Sequence, residues 1–345
     1  FFTDANGDVE YDNKTFQTET EFALFGELGF DVTDRLNPSV GARWFDLDFD
    51  LRSCTALPIA TTGFGGSPDV DDPSNCSPNT GFQQVGDSDV LGKFSATYTF
   101  TNDIMGYFTF SQGYSSGGAN ARLLPDAPEK LVRPESTDDY EVGLKSKWFD
   151  NRLTVNGTLF YIDWSDIQLD GQPGPMGSRI TRNGGKAESQ GVELETVLHL
   201  TDNWTIAAGY TYTDATLAEG CAITDLDDPA KTCALPDEVT ASGDRLPGSP
   251  EHQGNLRVAY DQELTGDLNL QVTYGLTSQS DVLTRIGNGD DCCRDNGEAL
   301  PGFTLHSASA GLINESWEAR LFVDNLFNKY AETGVREDRS TLTTA

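Results

Sequence analysis

Positive charge is scarce in this sequence: 23 Lys and Arg stand against 55 Asp and Glu, a net charge of −32, with only three His. A chain without a basic surplus cannot neutralise a phosphate backbone, which excludes nucleic acid as a partner. Long apolar runs are also missing. No stretch of about 18–20 apolar residues exists, so no helix is expected to span a membrane. The start, Phe1-Phe2-Thr3-Asp4, has no basic region, apolar core or small-residue cleavage site. The end, Ser340 to Ala345, completes no recognisable element, and both ends read as cut. With 37% hydrophobic residues and 35 Gly, composition alone describes a polar, acid-rich, soluble protein of a saline habitat.

Cysteine is sparse but ordered. Cys54 and Cys76 share one polar stretch, Cys221 and Cys233 another, and Cys292-Cys293 are adjacent in a third. Two pairs, each inside its own Gly/Pro/Asp-rich segment, suggest loop-stapling disulfides in an oxidising compartment. Zinc fits less well, because no Cys-x2-Cys spacing occurs and His199, His252 and His306 lie far from the cysteines. A bridge between Cys292 and Cys293 would be strained, so pairing elsewhere and free thiols both stay open.

What is abundant is alternation. Val90, Phe94, Ala96, Tyr98 and Phe100 oppose Lys93, Ser95, Thr97 and Thr99. Tyr140, Val142, Leu144 and Trp148 oppose Asp139, Glu141, Lys145 and Lys147, and Val192, Leu194, Leu198 and Leu200 oppose Glu193 and Glu195. The same pattern runs on from Trp204 and from Leu268. A side-chain period of two over ten or so residues means a strand with one apolar and one wet face.

The connections alternate as well. Short polar turns stand at Thr33-Asp34-Arg35, Thr101-Asn102-Asp103, Asp150-Asn151-Arg152, Thr201-Asp202-Asn203, Thr265-Gly266-Asp267 and Asn314-Glu315-Ser316. Between them lie long Gly/Pro/Asn/Asp-rich loops near 52–86, 116–133, 165–183, 217–247 and 284–300, with another opening near 331. Twelve long up-and-down strands with the long loops all at one end fit an outer-membrane barrel, where half of every strand is meant to be polar. Aromatics near strand ends (Trp44, Phe45, Tyr107, Trp148, Phe149, Trp164, Trp204 and Trp317) are expected to form interface girdles.

Three stretches carry a family resemblance. Arg133-Pro134-Glu135-Ser136 followed by Tyr140-Glu141-Val142-Gly143-Leu144-Lys145 resembles the "PE-x(4)-YE-x-G-x-K" strand of TonB-dependent outer-membrane receptors. Asn183-Gly184-Gly185-Lys186-Ala187-Glu188-Ser189-Gln190-Gly191-Val192-Glu193-Leu194-Glu195 is similar to their "N-x-G-x-A-x-S-x-G-x-E-x-E" segment. Val323-Asp324-Asn325-Leu326-Phe327-Asn328-Lys329-Tyr330 resembles their "V-x-NLF(D/N)-x-Y" strand. In the second, Gly191 is expected to relieve crowding, with Glu193 and Glu195 pointing into the lumen. In the third, Asn325 is expected to satisfy backbone groups.

The resemblance implies an all-β, antiparallel, up-and-down transmembrane barrel, this chain supplying about twelve of about 22 strands. The plug and the segment that meets TonB are expected outside it. A closed twelve-stranded barrel is the alternative, since twelve is even. The function implied is TonB-dependent uptake of a scarce nutrient, with a ferric siderophore the first choice and cobalamin, haem or an oligosaccharide open. The partners implied are the TonB-ExbB-ExbD complex, an extracellular ligand and outer-membrane lipid, for a protein that works as a monomer and needs no cofactor. A passive porin and a soluble acidic adhesin are the rivals.

No enzyme is expected. Gly86-Asp87-Ser88-Asp89 resembles an esterase nucleophile, but no later Asp-x-x-His supplies a base. The acidic clusters Asp69/Asp71/Asp72, Asp225/Asp227/Asp228 and Asp290/Asp291 lack EF-hand spacing and read first as solvated loop charge, so no metal site is assigned. On so acidic a chain, a local basic group beside an aromatic suggests where an anionic ligand would bind: Arg122, Arg133, Arg179 and Arg182 with Tyr114. The competing reading is that these arginines pair with neighbouring acids.

Overall fold

A computed structural model describes residues 12–56, 82–120, 131–173, 179–219, 242–284 and 299–334. Its main body is one twelve-stranded antiparallel sheet in sequential order. The strands are β1 (Asp12–Gly29), β2 (Leu36–Ala56), β3 (Phe82–Thr101), β4 (Ile104–Ser115), β5 (Glu135–Trp148), β6 (Leu153–Ser165), β7 (Ala187–His199), β8 (Trp204–Leu217), β9 (His252–Glu263), β10 (Asn269–Gln279), β11 (Phe303–Ile313) and β12 (Glu318–Val323). Among the described residues β1 and β12 each pair on one side only, so no ladder closes the twelve strands on themselves.

The short turns are built by their first polar side chain. The Thr33 hydroxyl accepts the amides of Arg35 and Leu36, and the Thr201 hydroxyl those of Asn203 and Trp204. Asn314 Oδ1 does the same for Ser316 and Trp317. Such local bonds offer the backbone a partner outside the ladder, which is why Thr and Asn mark these reversals. The turn between β5 and β6 instead runs through three left-handed residues, Phe149, Asp150 and Asn151, with φ of 55°, 55° and 66°.

The long connections hold more structure than their composition suggests. β2 and β3 continue their ladder from Leu36↔Tyr98 to Arg52↔Phe82, well into the expected loop 52–86. Gln168–Pro173 pairs with Arg179–Asn183, Gly118–Ala119 with Leu131–Val132, and Val282–Leu283 with Ala299–Leu300.

Register sorts the side chains onto two faces. Phe108, Val142, Leu159, Val192 and Tyr212 form one cross-strand row, and Leu24, Trp44 and Val90 another. These side chains are open: Leu24 is 60%, Val142 50% and Leu159 54% exposed. A water-facing surface so apolar would be an aggregation hazard, whereas lipid needs it. The soluble reading of the composition fails here, because low hydropathy reflects the second, polar face. The girdle reading holds only in part. Trp148, Phe149, Trp204 and Trp317 are exposed beside the short turns. Phe45, Tyr107 and Trp164 fall on the polar face by parity and serve packing there.

Candidate functional site

Two motif glycines are explained by what crosses them on the polar face. Tyr107 of β4 pairs with Gly143 of β5, and its ring lies where a Cβ at Gly143 would stand. Its hydroxyl donates to Glu141 and lies 3.0 Å from Thr158 Oγ1, while Lys145 Nζ sits 5.5 Å from the ring centroid. Glu141, Gly143 and Lys145 of the motif thus make a single cross-strand stack with Tyr107, while the motif's own Tyr140 faces the other side against Phe110 and Tyr161. At Gly191 a Cβ would meet the carbonyl oxygen of Tyr212 and lie 2.6 Å from the Phe160 ring. Asn325, at φ 50°, bonds both backbone groups of Lys329, accepting from its amide at 2.8 Å and donating to its carbonyl at 2.9 Å.

Of the residues singled out as ligand contacts, Tyr114, Arg133, Arg179 and Arg182 lie at the long-loop end, where Thr181 and Asn183 of one long connection bond Asn120 and Arg133 of another. Tyr114 lies near the end of β4, above Lys93↔Ser111, the last β3–β4 pair at that end. Its ring packs 4.5 Å from that of Phe45, which is 1% exposed, and its hydroxyl donates to Asp87 Oδ2 at 2.5 Å. Arg133 Nη2 donates to Asp166 Oδ1 at 2.6 Å. Its amide and carbonyl are both held by the Asn183 side chain, at 2.8 Å and 2.9 Å. Arg133 therefore straps loop 116–133 to loop 165–183 and has an acid at its guanidinium. Arg179 and Arg182 are placed by backbone pairing with Pro173 and Leu169. Arg122 lies outside the described residues, as do Cys76, Cys221, Cys233, Cys292 and Cys293. Cys54 sits on β2, opposite Lys14, rather than in a loop.

The structure adds a feature that the local pattern does not show. Ile167, Ala187, Ala215, Leu217 and Leu246 form a buried cluster, with Trp164 and Leu169 packed against it. It forms because the end of loop 217–247 folds back onto β8. Leu217 N donates to Asp244 O and Leu246 N to Ala215 O, both at 2.8 Å. Arg245 locks this return. Its guanidinium donates to Asp281 Oδ2 at 2.8 Å, to Asp281 O at 2.7 Å and to Ser249 O at 3.0 Å, tying two loops together. A lone apolar Leu246 between Arg245 and Pro247 is the only local sign of this docking.

Beside the cluster opens a cleft of about 730 Å³, walled by Trp164, Ile167, Leu246, Val282 and Leu300 and edged by Gln168, Gln253 and Gln279. The indole N–H of Trp164 has no acceptor among the described residues. A second groove, of about 310 Å³, shares Gln253 and Gln279 and contains Glu193 and Glu195. Apolar walls with a few amide groups suit a small organic ligand.

Comparison with known proteins fits this architecture. The family model described as TonB dependent receptor-like, beta-barrel matches residues 1–326. The pesticin receptor of Yersinia pestis is 26% identical over 322 residues, covering 92% of this chain and 40% of the relative. A probable TonB-dependent siderophore receptor, PiuA, of Acinetobacter baumannii is 24% identical over 221 residues, covering 63% of this chain and 26% of the relative. Among solved structures, the ferric yersiniabactin uptake receptor FyuA from Yersinia pestis superposes with a TM-score of 0.68 at 19% identity, covering 92% of this chain and 42% of that one. The chain thus spans well under half the length of these relatives. With its polar face the lumen wall and its apolar face toward lipid, the chain belongs to the TonB-dependent receptor β-barrel family, whose members are outer-membrane proteins of Gram-negative bacteria.

Proposed function

We propose that this chain is the larger part of the barrel wall of a TonB-dependent transporter that imports a ferric siderophore. The full-length protein would bind the chelate among its extracellular long loops, near 52–86, 116–133, 165–183, 217–247, 284–300 and beyond 331. The TonB-ExbB-ExbD complex would then drive release into the periplasm, one barrel acting alone and no covalent bond being made. The supporting observation is the match to the family model across residues 1–326, in a wall whose long-loop end carries a ligand-sized cleft. The similarity to a probable siderophore receptor supports iron chelates as cargo.

Two surfaces at that end are candidates for the ligand. One is the basic strip of Arg122, Arg133, Arg179 and Arg182 with Tyr114, which would suit an anion. The other is the apolar cleft, which is favoured by the engagement of Arg133 with Asp166 and of Tyr114 with Asp87.

The test is uptake of radioactive iron chelates by cells carrying or lacking the full-length gene, each with and without TonB. Uptake is expected only when both are present, at least about tenfold above either deletion. Uptake that survives loss of TonB would instead mark a passive channel. We also propose disulfides Cys54–Cys76 and Cys221–Cys233. Peptide mass mapping without reduction should find both linked pairs, and free thiols at these positions would refute them.

A further inference from the structure

We infer that the cargo is an uncharged or cationic ferric chelate, seated with its apolar body in the rim cleft and its positive side toward Glu193 and Glu195. This rests on the uptake reading above and names the charge class of the ligand. The geometry begins with register. Glu193, Thr211, Gln253 and Gln279 are successive partners across β7, β8, β9 and β10, and so form one row on the lumen face. Glu195, Gly209, Asn255 and Thr277 form the next row toward the short-turn end. At about 4.8 Å per strand, Glu193 stands about 14 Å from Gln279 along its row, within the span of one chelate. Gln253 and Gln279 line both the cleft above and the groove below, so the two spaces share a wall.

The sign of the charge follows from what lines these spaces. Among the described residues no Lys or Arg lines either one, while Glu332 borders the cleft and Glu193 and Glu195 the groove. Neither Glu193 nor Glu195 is in an ion pair among the described residues. Arg133 is engaged by Asp166 at 2.6 Å and Arg245 by Asp281 at 2.8 Å. Arg257, one row nearer the short-turn end than Asn255, and Lys145, two strands from Glu195 along its row, lie outside both linings. A chain of net charge −32 also repels approaching anions before contact. Carboxylates without a paired cation therefore discriminate against a polyanion by repulsion, while the apolar wall and glutamine amides accept a neutral body. The volume of about 730 Å³ lies within the range of about 300–1,000 Å³ typical of small-molecule sites.

The experiment uses the full-length receptor in outer-membrane vesicles and three probes. They are a ferric trihydroxamate bearing a free ammonium, the same chelate with that amine succinylated to a carboxylate, and a trianionic ferric tris-catecholate. The ammonium form is expected to bind about tenfold more tightly than the succinylated form at low salt, with the trianion weakest. Added salt should shrink the preference. The double variant Glu193→Gln/Glu195→Gln should narrow it to about twofold. Val282→Lys, at the cleft wall, should narrow it independently, and heat-modifiable gel mobility shows that each variant is folded. Equal or tighter binding of the anionic probes overturns the inference, as does a preference unchanged in both variants. So does loss of binding on joint replacement of Arg122, Arg133, Arg179 and Arg182 while Glu193→Gln/Glu195→Gln has no effect. If none of the three probes binds, the uptake reading falls, and this inference falls with it.

Discussion

Gly191→Ala is expected to prevent most of the protein from reaching the heat-modifiable, folded form on gels. The added methyl would be driven against the carbonyl oxygen of Tyr212, a backbone atom of the neighbouring strand that cannot swing aside. It would also press on the Phe160 ring, whose atoms approach the Cβ position to 2.6 Å and 2.8 Å. Overpacking of this kind costs about 1–3 kcal/mol when side chains can yield, and more when the obstacle is main chain. Gly191 pairs with Phe160 on one side and Thr213 on the other, so relief by a backbone shift would strain both ladders. Gly254→Ala on β9 is the control. The nearest atom to a Cβ there is Gly209 O at 3.6 Å, an ordinary contact, and an alanine in a strand should be neutral or mildly stabilising. If the two variants fold with the same yield and melting temperature, crowding at Gly191 is not what requires the glycine.

Leu159→Arg is expected to destabilise the barrel by about 2–4 kcal/mol in urea unfolding from lipid vesicles. Leu159 lies midway along β6 and pairs with Val142 and Val192 on the apolar face. Its 54% exposure would make the substitution nearly neutral in a soluble protein, where such changes fall within about 0.5 kcal/mol. Asn156→Arg, three positions away on the opposite face and level with Glu195 and Lys145, should be tolerated. The contrast between the two isolates which side meets lipid. Equal stability of the two variants would reject the membrane assignment of the faces.

The sheet was legible because its signal is local. The alternation around Tyr140 to Trp148, or from Trp204 to Tyr212, is repeated every second residue and needs no knowledge of the neighbour strand. The turns were legible for the same reason, since Thr33, Thr201 and Asn314 bond amides two and three residues ahead. Strand ends in the long loops were less so. The β2–β3 ladder persists to Arg52↔Phe82 and a hairpin forms at 168–183, although the composition there reads as irregular. Parity also corrected the aromatic girdle. Tyr107 and Trp164 sit at plausible girdle positions in sequence, but their register turns them to the lumen side.

The ligand end was the least legible part, because its pieces are distant in the chain. Trp164 comes from the end of β6 and Leu246 and Leu300 from two long connections, and none carries a pattern that points to the others. The basic strip rests on charge counted along the sequence. In space, Arg133 meets Asp166 of the next long connection.

By itself, then, the sequence determined the twelve strands, their order and the sorting of short and long connections. A two-residue period and local turn bonds are properties of adjacent residues. Only the tertiary structure decided which arginines are occupied, why Gly143 and Gly191 must lack a side chain, and where a cleft opens. Those outcomes depend on Tyr107 crossing Gly143, Phe160 crossing Gly191 and Leu246 returning to β8, contacts set by register between strands rather than by any one segment.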